Sequence, residues 1–235
     1  MLRRLLLIIG IPLVSFLFIR QCQGQSIKPT LSNGVITYLR EDGQQATMQV
    51  RRECADLWVS PDESVIAFIT LDKIEPPTRE YGYLEESSIY IARRSDHFKP
   101  IQVHLRPIHI SQRKVVRQPS LSPDLKTLYF LVPSYMTSWT LISTQLSSSP
   151  NTKITDLIGD GYCVIWGGRF SGDLLLNLRQ QGKNGIDYPC FHRAKDGQLT
   201  KIGTGNECFE FTNFALEWSQ KHGGICLEPE FTQIW

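Results

Sequence analysis

The sequence predicts an all-β domain. Three observations carry that prediction: a recurring Ser-Pro-Asp corner, apolar runs of strand length beside each corner, and a 10% aromatic content. Tyr, Phe and Trp favour the pleated, half-buried surface of a sheet. The apolar fraction of 41% is slightly low for a packed domain but well above that of a disordered chain.

The strands can be taken in chain order. Gly34-Val35-Ile36-Thr37-Tyr38-Leu39 and Ala46-Thr47-Met48-Gln49-Val50 read as two strands around a Glu41-Asp42-Gly43 turn. No serine anchor precedes them. The first corner is Ser60-Pro61-Asp62, followed by Val65-Ile66-Ala67-Phe68-Ile69. Proline pre-sets φ for the second turn position, and aspartate can accept from nearby backbone N–H groups. Ser88 to Arg93 and Ile101 to Leu105 read as the outer strands of this unit. The second corner is Ser122-Pro123-Asp124, followed by Leu128-Tyr129-Phe130-Leu131-Val132, with Trp139 to Thr144 as the next strand. A weaker third corner is Phe170-Ser171-Gly172-Asp173, followed by Leu174-Leu175-Leu176. There, Tyr188 to Arg193 and Gln198 to Ile202 flank a Lys195-Asp196-Gly197 turn, and Asp-Gly is a strong hairpin signal. The weakest match is Leu216-Glu217-Trp218-Ser219, followed by Gly224-Ile225-Cys226-Leu227.

The anchoring serines stand at 60, 122, 171 and 219, so the spacings are 62, 49 and 48 residues. Periods of roughly 40–50 residues point to propeller blades. The expected fold is a small β-propeller of four blades, each of about four antiparallel strands. The N-terminal strands would be the outer half of one blade and Phe214 to Trp235 its inner half. Joining them would close the ring and hide its edges.

The Ser-Pro-Asp pattern with Ile66-Ala67-Phe68 then Ile89-Tyr90, and with Leu128-Tyr129-Phe130, resembles the repeat of TolB-type β-propellers. The resemblance spans roughly residues 34–235, with two specific units and two degenerate ones. It implies a fold and an exported setting rather than an activity.

The setting is also legible at the N-terminus. Arg3 and Arg4 precede an apolar run from Leu5 to Ile19, and Cys22 and Gly24 have the spacing a signal peptidase reads. Residues 1–24 therefore read as a secretory signal and 25–235 as the propeller. The run of 15 residues is short of the ~20 that a spanning helix needs. A periplasmic or secreted location follows, with no membrane span after cleavage. Five cysteines remain in an oxidising compartment, an odd number. Cys190 with Cys208 is the favoured pair, being close in sequence and flanking a hairpin. The alternative is that several are small buried apolar residues.

Chemistry is harder to find. A formal charge of +2 gives no reason to propose nucleic acid as partner. There is no Gly-x-Ser-x-Gly elbow, no Cys-x-x-Cys, no His-Glu-x-x-His and no phosphate loop, so no metal or cofactor is expected. His104 and His109 read as an outer strand and linker. Asp62 and Asp124 read as corner-closing residues rather than a carboxylate pair. The most unusual segment is the insertion from Leu71 to Ser87. Its Arg79, Tyr81 and Tyr83 are the expected binding residues, because contact residues of these types often sit on long loops. The leading expectation is a non-enzymatic binding or assembly module for another envelope or extracellular protein. The alternatives are a hydrolase or lyase with its site at the mouth of the channel, and a fragment completed by a partner chain.

Overall fold

Both Ser-Pro-Asp corners close through the same hydrogen bonds. Ser60 Oγ donates to Asp62 Oδ1 at 2.6 Å and accepts from Val65 N at 3.0 Å, and Ser64 N donates to the same carboxylate. Ser122 Oγ donates to Asp124 Oδ1 at 2.5 Å and accepts from Thr127 N at 2.9 Å, with Lys126 N on the carboxylate. The residue after each aspartate is left-handed, Glu63 at φ 57° and Leu125 at φ 56°. The expectation that these aspartates close corners is met.

These bonds also perturb the carboxyls. Burial pushes Asp62 up, but the bonds from Ser60 and Ser64 together outweigh it, so its pKa lies below the ordinary 3.8. At Asp124 the bond from Ser122 dominates, and its pKa is again lowered from 3.8. A depressed native pKa means that the ionised carboxylate stabilises the fold above the ordinary value and stops doing so as pH falls through the native one. The stability gap between wild type and an Asp62→Asn/Asp124→Asn variant is therefore expected to be widest at neutral pH and to shrink below 3.8. Thermal melts across that range check it. The gap should be modest, because both groups lie near solvent.

The computed structural model describes residues 28–40, 42–50, 54–75, 84–105, 115–133, 139–146, 152–182, 185–204 and 210–228. The expected signal segment lies outside them. Strands β1 (Thr30–Ser32), β2 (Val35–Leu39) and β3 (Gln45–Gln49) form a three-stranded sheet. A four-stranded meander follows: β4 (Cys54–Val59), β5 (Val65–Glu75), β6 (Leu84–Arg93) and β7 (Ile101–Gln102). The next strands are β8 (Arg117–Leu121), β9 (Thr127–Pro133), β10 (Trp139–Gln145) and β11 (Thr152–Trp166). Then come β12 (Leu174–Leu178), a small hairpin of β13 (Gln180–Gly182) and β14 (Gly185–Asp187), β15 (Cys190–Arg193) and β16 (Leu199–Gly203).

Among the described residues all sheet pairing is antiparallel, and β8 to β12 continue into β15 and β16 as one sheet. Strand β11 serves two units. Its first half pairs with β10, and after a bulge between Ile158 and Tyr162 its second half pairs with β12. The large sheet is thus two four-stranded units joined at a bend, the arrangement that a blade-to-blade connection produces. The fold is all-β and propeller-like, with the corners at the ends of the inner strands β4, β8 and β11.

The C-terminal segment is where the structure corrects the sequence reading. The described part of the segment expected from Phe214 to Trp235, which ends at Glu228, does not form the inner half of a blade. Residues Phe211–Lys221 form helix α1, and a two-residue strand β17 (Ile225–Cys226) pairs with the end of β11. The reason is periodicity. Phe211, Ala215 and Ser219 recur every four residues and are buried, while Thr212, Asn213, Glu217 and Gln220 face solvent. Ser219 is therefore helical, not a corner. Gly223, at φ 76°, ends the helix region, and Gly224 packs so close to Gly167 and Ile165 that a Cβ there would meet both. Among the described residues, β1 to β3 and the C-terminal segment share no ladder, so closure of the ring by terminal strands is not seen there.

The core runs between units. Ile36, Tyr38, Leu57, Ile66, Phe68 and Phe98 pack the first sheet against the second. Trp58, Ala67, Leu121, Leu128 and Phe130 join the second to the third. Helix α1 lays Phe211 and Ala215 on Cys163, Ile165 and Leu175. A disulfide joins Cys163 to Cys226 with a Cα separation of 5.7 Å. Cys190 is also disulfide-bonded, and Cys208, its expected partner, lies outside the described residues.

Candidate functional site: an interblade cleft beside a buried hub

Two polar regions stand out. The first is a cleft of about 640 Å³ between the third and fourth units. One wall is a face of β9 and β10. Register pairs Thr127 with Gln145 and Tyr129 with Ser143, so four polar side chains alternate onto that face. Gln145 Nε2 donates to Thr127 Oγ1 at 2.9 Å. Burial, then the nearby Asp124 charge, raise the Tyr129 phenol above its usual pKa, so it enters the cleft as a neutral hydroxyl. The opposite wall carries Leu174 and its cross-strand partner Arg193, then Ala194, Lys195 and the corner Ser171-Gly172. Gly172 is at φ 88°, and a Cβ there would sit 2.5 Å from Lys195 Cε, so only glycine lets this lysine lie across the corner.

The Arg193 wall is braced from behind. Alternation along β15 turns His192 away from the cleft. Its Nε2 lies 2.7 Å from Asp173 Oδ2, and Asp173 Oδ1 accepts from Lys195 N at 3.1 Å. The His192 ring stacks on Trp218, 5.3 Å between centroids, and Phe170 and His222 complete the aromatic cluster under α1.

The second region is the hub where β4, β8 and β11 converge. Each strand carries a bulge: between Ala55 and Trp58, between Arg117 and Ser120, and between Ile158 and Tyr162. Asp56 and Gln118 occupy the bulges of the first two strands with φ of 48° and 47°. Asp56 is wholly buried, lies 3.4 Å from Arg117, and accepts from Gln118 N at 2.9 Å. Tyr162 Oη donates to Gln118 O at 2.5 Å and accepts from Ser120 Oγ at 3.1 Å. Burial drives the Tyr162 phenol far above its usual pKa. Gly161 stands in the third bulge. A Cβ there would strike Glu228 Oε1 and come within 2.8 Å of Phe211 Cδ1, so the C-terminal segment delivers a carboxylate where this strand has no side chain.

Arg79, Tyr81 and Tyr83 lie outside the described residues, as does His109. Sequence reasoning placed Asp124, Ser171 and Lys195 in corners and turns but did not assemble them into a cleft. It read Arg117, with Arg113 and Lys114, as part of a basic solvated linker, whereas Arg117 lies in β8 with its side chain largely buried beside Asp56. It did not single out Asp56, Tyr162 or Arg193. Among the described residues no three His, Cys, Asp or Glu side chains cluster to hold a metal, and no helix is long and apolar enough to cross a membrane.

No known protein family and no curated protein matches the chain at significance. Three solved structures show likeness. An acylaminoacyl peptidase from Pyrococcus horikoshii is 13% identical with a TM-score of 0.43, covering 72% of this chain and 28% of that one. A gluconolactonase from Xanthomonas campestris is 20% identical at 0.41, covering 72% and 55%. A functionally unknown protein from Desulfotomaculum acetoxidans DSM 771 is 13% identical at 0.36, covering 72% and 47%. This chain spans less than two thirds of each. Likeness at this level transfers no activity, and the fold stands on the sheet pairing itself.

Proposed function

We propose that the protein is an exported, non-enzymatic binding module on a TolB-like propeller scaffold, and that it takes a polar ligand in the interblade cleft. The lining of the cleft carries this reading. Hydroxyls, an amide and two cations converge on a concave space within the usual size range of small-molecule sites, roughly 300–1,000 Å³. The hub offers less to an enzyme, because Asp56 and Tyr162 are buried and engaged with their neighbours. The Asp173–His192 pair has the geometry of an acid–base dyad. Its imidazole is packed among Phe170 and Trp218 and does not line the cleft, which favours the bracing role over the catalytic one. A buried disulfide supports export.

The test is a thermal-shift panel of charged and neutral saccharides, amino acids and organic acids, on wild type and on Ser143→Trp. The indole would fill the cleft from its β10 wall. A ligand at a hundred times its Kd stabilises by about 2.7 kcal/mol, roughly 5–10 °C for a chain of this size. Hits on wild type that vanish in Ser143→Trp are expected. Hits that persist in the variant would move the site elsewhere.

A further inference from the structure

The two walls of the cleft differ in kind, and the difference selects a ligand. The β9–β10 wall presents neutral groups: Thr127, Tyr129, Ser143 and Gln145. Once Gln145 Nε2 has donated to Thr127 Oγ1, the Gln145 carbonyl oxygen and the Thr127 hydroxyl proton remain as acceptor and donor. Alternating donors and acceptors beside a phenol ring suit a polyhydroxylated ring, which offers both in a row and has an apolar face to lay on an aromatic. The facing wall is cationic, with Arg193 and Lys195 two residues apart on β15 and its following turn. Asp124 is the one carboxylate among the described residues of the lining. Its Oδ1 accepts from Ser122 Oγ and Lys126 N, and its charge also acts on the Tyr129 phenol.

We infer that the ligand class of this cleft is an anionic saccharide. Its hydroxyls meet the β9–β10 wall and its acid group meets Arg193 and Lys195. The inference rests on the cleft being the binding site, and it adds the chemistry of the occupant. The guanidinium can bind a carboxylate or sulfate through two parallel N–H donors, and the ammonium adds a point charge. The Asp173 brace fixes this wall before the ligand arrives, because Lys195 N and the neighbouring His192 are both tied to that carboxylate. Preorganisation of this kind raises affinity by lowering the ordering cost of binding.

Calorimetric titration with trigalacturonate, a sulfated heparin-derived trisaccharide and neutral maltotriose tests it. Trigalacturonate or the sulfated sugar should bind and maltotriose should bind at least tenfold more weakly, the equivalent of about 1.4 kcal/mol. Arg193→Gln and Lys195→Gln should each weaken the acidic sugar about tenfold and leave maltotriose unchanged. Added salt should weaken the acidic sugar only. The ratio of carboxylated to sulfated binding says which acid group the wall prefers, and either preference supports the class. Equal binding of acidic and neutral sugars, or no response to both glutamine variants, overturns the anionic inference. If none of the three sugars binds but another compound does so in a manner blocked by Ser143→Trp, the saccharide class fails and the cleft remains the site. If no compound responds to Ser143→Trp, the binding reading itself fails. Unchanged melting temperatures of the glutamine variants exclude misfolding as the cause of any loss.

Discussion

Arg117→Leu is expected to lower folding stability by about 3–5 kcal/mol, the usual cost of removing one partner from a buried ion pair. The damage comes from what remains. Asp56 has no exposed surface, and its carboxylate would be left in the hub without the guanidinium 3.4 Å away, so it would have to be either desolvated as an ion or protonated. The bond from Gln118 N is a neutral donor and does not replace the guanidinium's charge. Because these groups tie β4 to β8, the loss should also loosen the bond from Tyr162 to Gln118 that ties in β11. Adding Asp56→Asn to Arg117→Leu should recover part of the loss. Asparagine keeps an acceptor for Gln118 N, removes the charge, and tolerates the left-handed φ of 48°. Urea melts of the single and double variants measure this. A midpoint for Arg117→Leu equal to that of wild type, or a double variant weaker than the single one, contradicts it.

That network also marks the limit of what could be read from the sequence. The corners were legible because their chemistry is local: a serine and an aspartate two positions apart bond each other and accept from backbone N–H groups within five residues, with a proline between them to set the turn. Strands followed from apolar runs between corners, and Asp196-Gly197 correctly marked the β15–β16 turn. The hub is non-local, since 61 residues separate Asp56 from Arg117 and 44 separate Gln118 from Tyr162. Two of its three bulges carry an aspartate and a glutamine at positive φ, where a glycine would have given a signal, and the Gly159-Asp160-Gly161 run at the third reads as a turn in the sequence although it lies within β11. The cleft was half legible. Its corners were found, but Arg193 faces the Tyr129 wall only because β11 bends and sets one unit beside the next. Helix α1 was missed because Leu216-Glu217-Trp218-Ser219 matches a degenerate corner motif. The Phe211, Ala215, Ser219 spacing was the contrary signal, and it agrees with the strong helix formers around it.

The C-terminal segment then carries the second large effect. Cys163→Ala with Cys226→Ala is expected to cost up to about 4 kcal/mol, from the chain entropy of a cross-link between cysteines 63 residues apart. The bridge is placed where it constrains most. Strand β17 adds only two residues to the end of β11, and a ladder that short cannot hold a segment by itself. Cys226 fixes it to β11, and Phe211 and Ala215 cover the same strand from α1. Glu228, bonded to Thr212 Oγ1, then fills the space over Gly161. Gly161→Ala separates the two devices. Its methyl group would displace Glu228 and Phe211 while leaving the bridge intact, so it should loosen the segment without releasing it. Hydrogen exchange distinguishes the outcomes. The alanine pair should raise exchange throughout α1 and β17, and Gly161→Ala should raise it mainly at the start of α1. Undiminished protection of α1 in the alanine pair would mean that helix packing alone holds the segment, and that the bridge constrains the unfolded chain without anchoring the folded one.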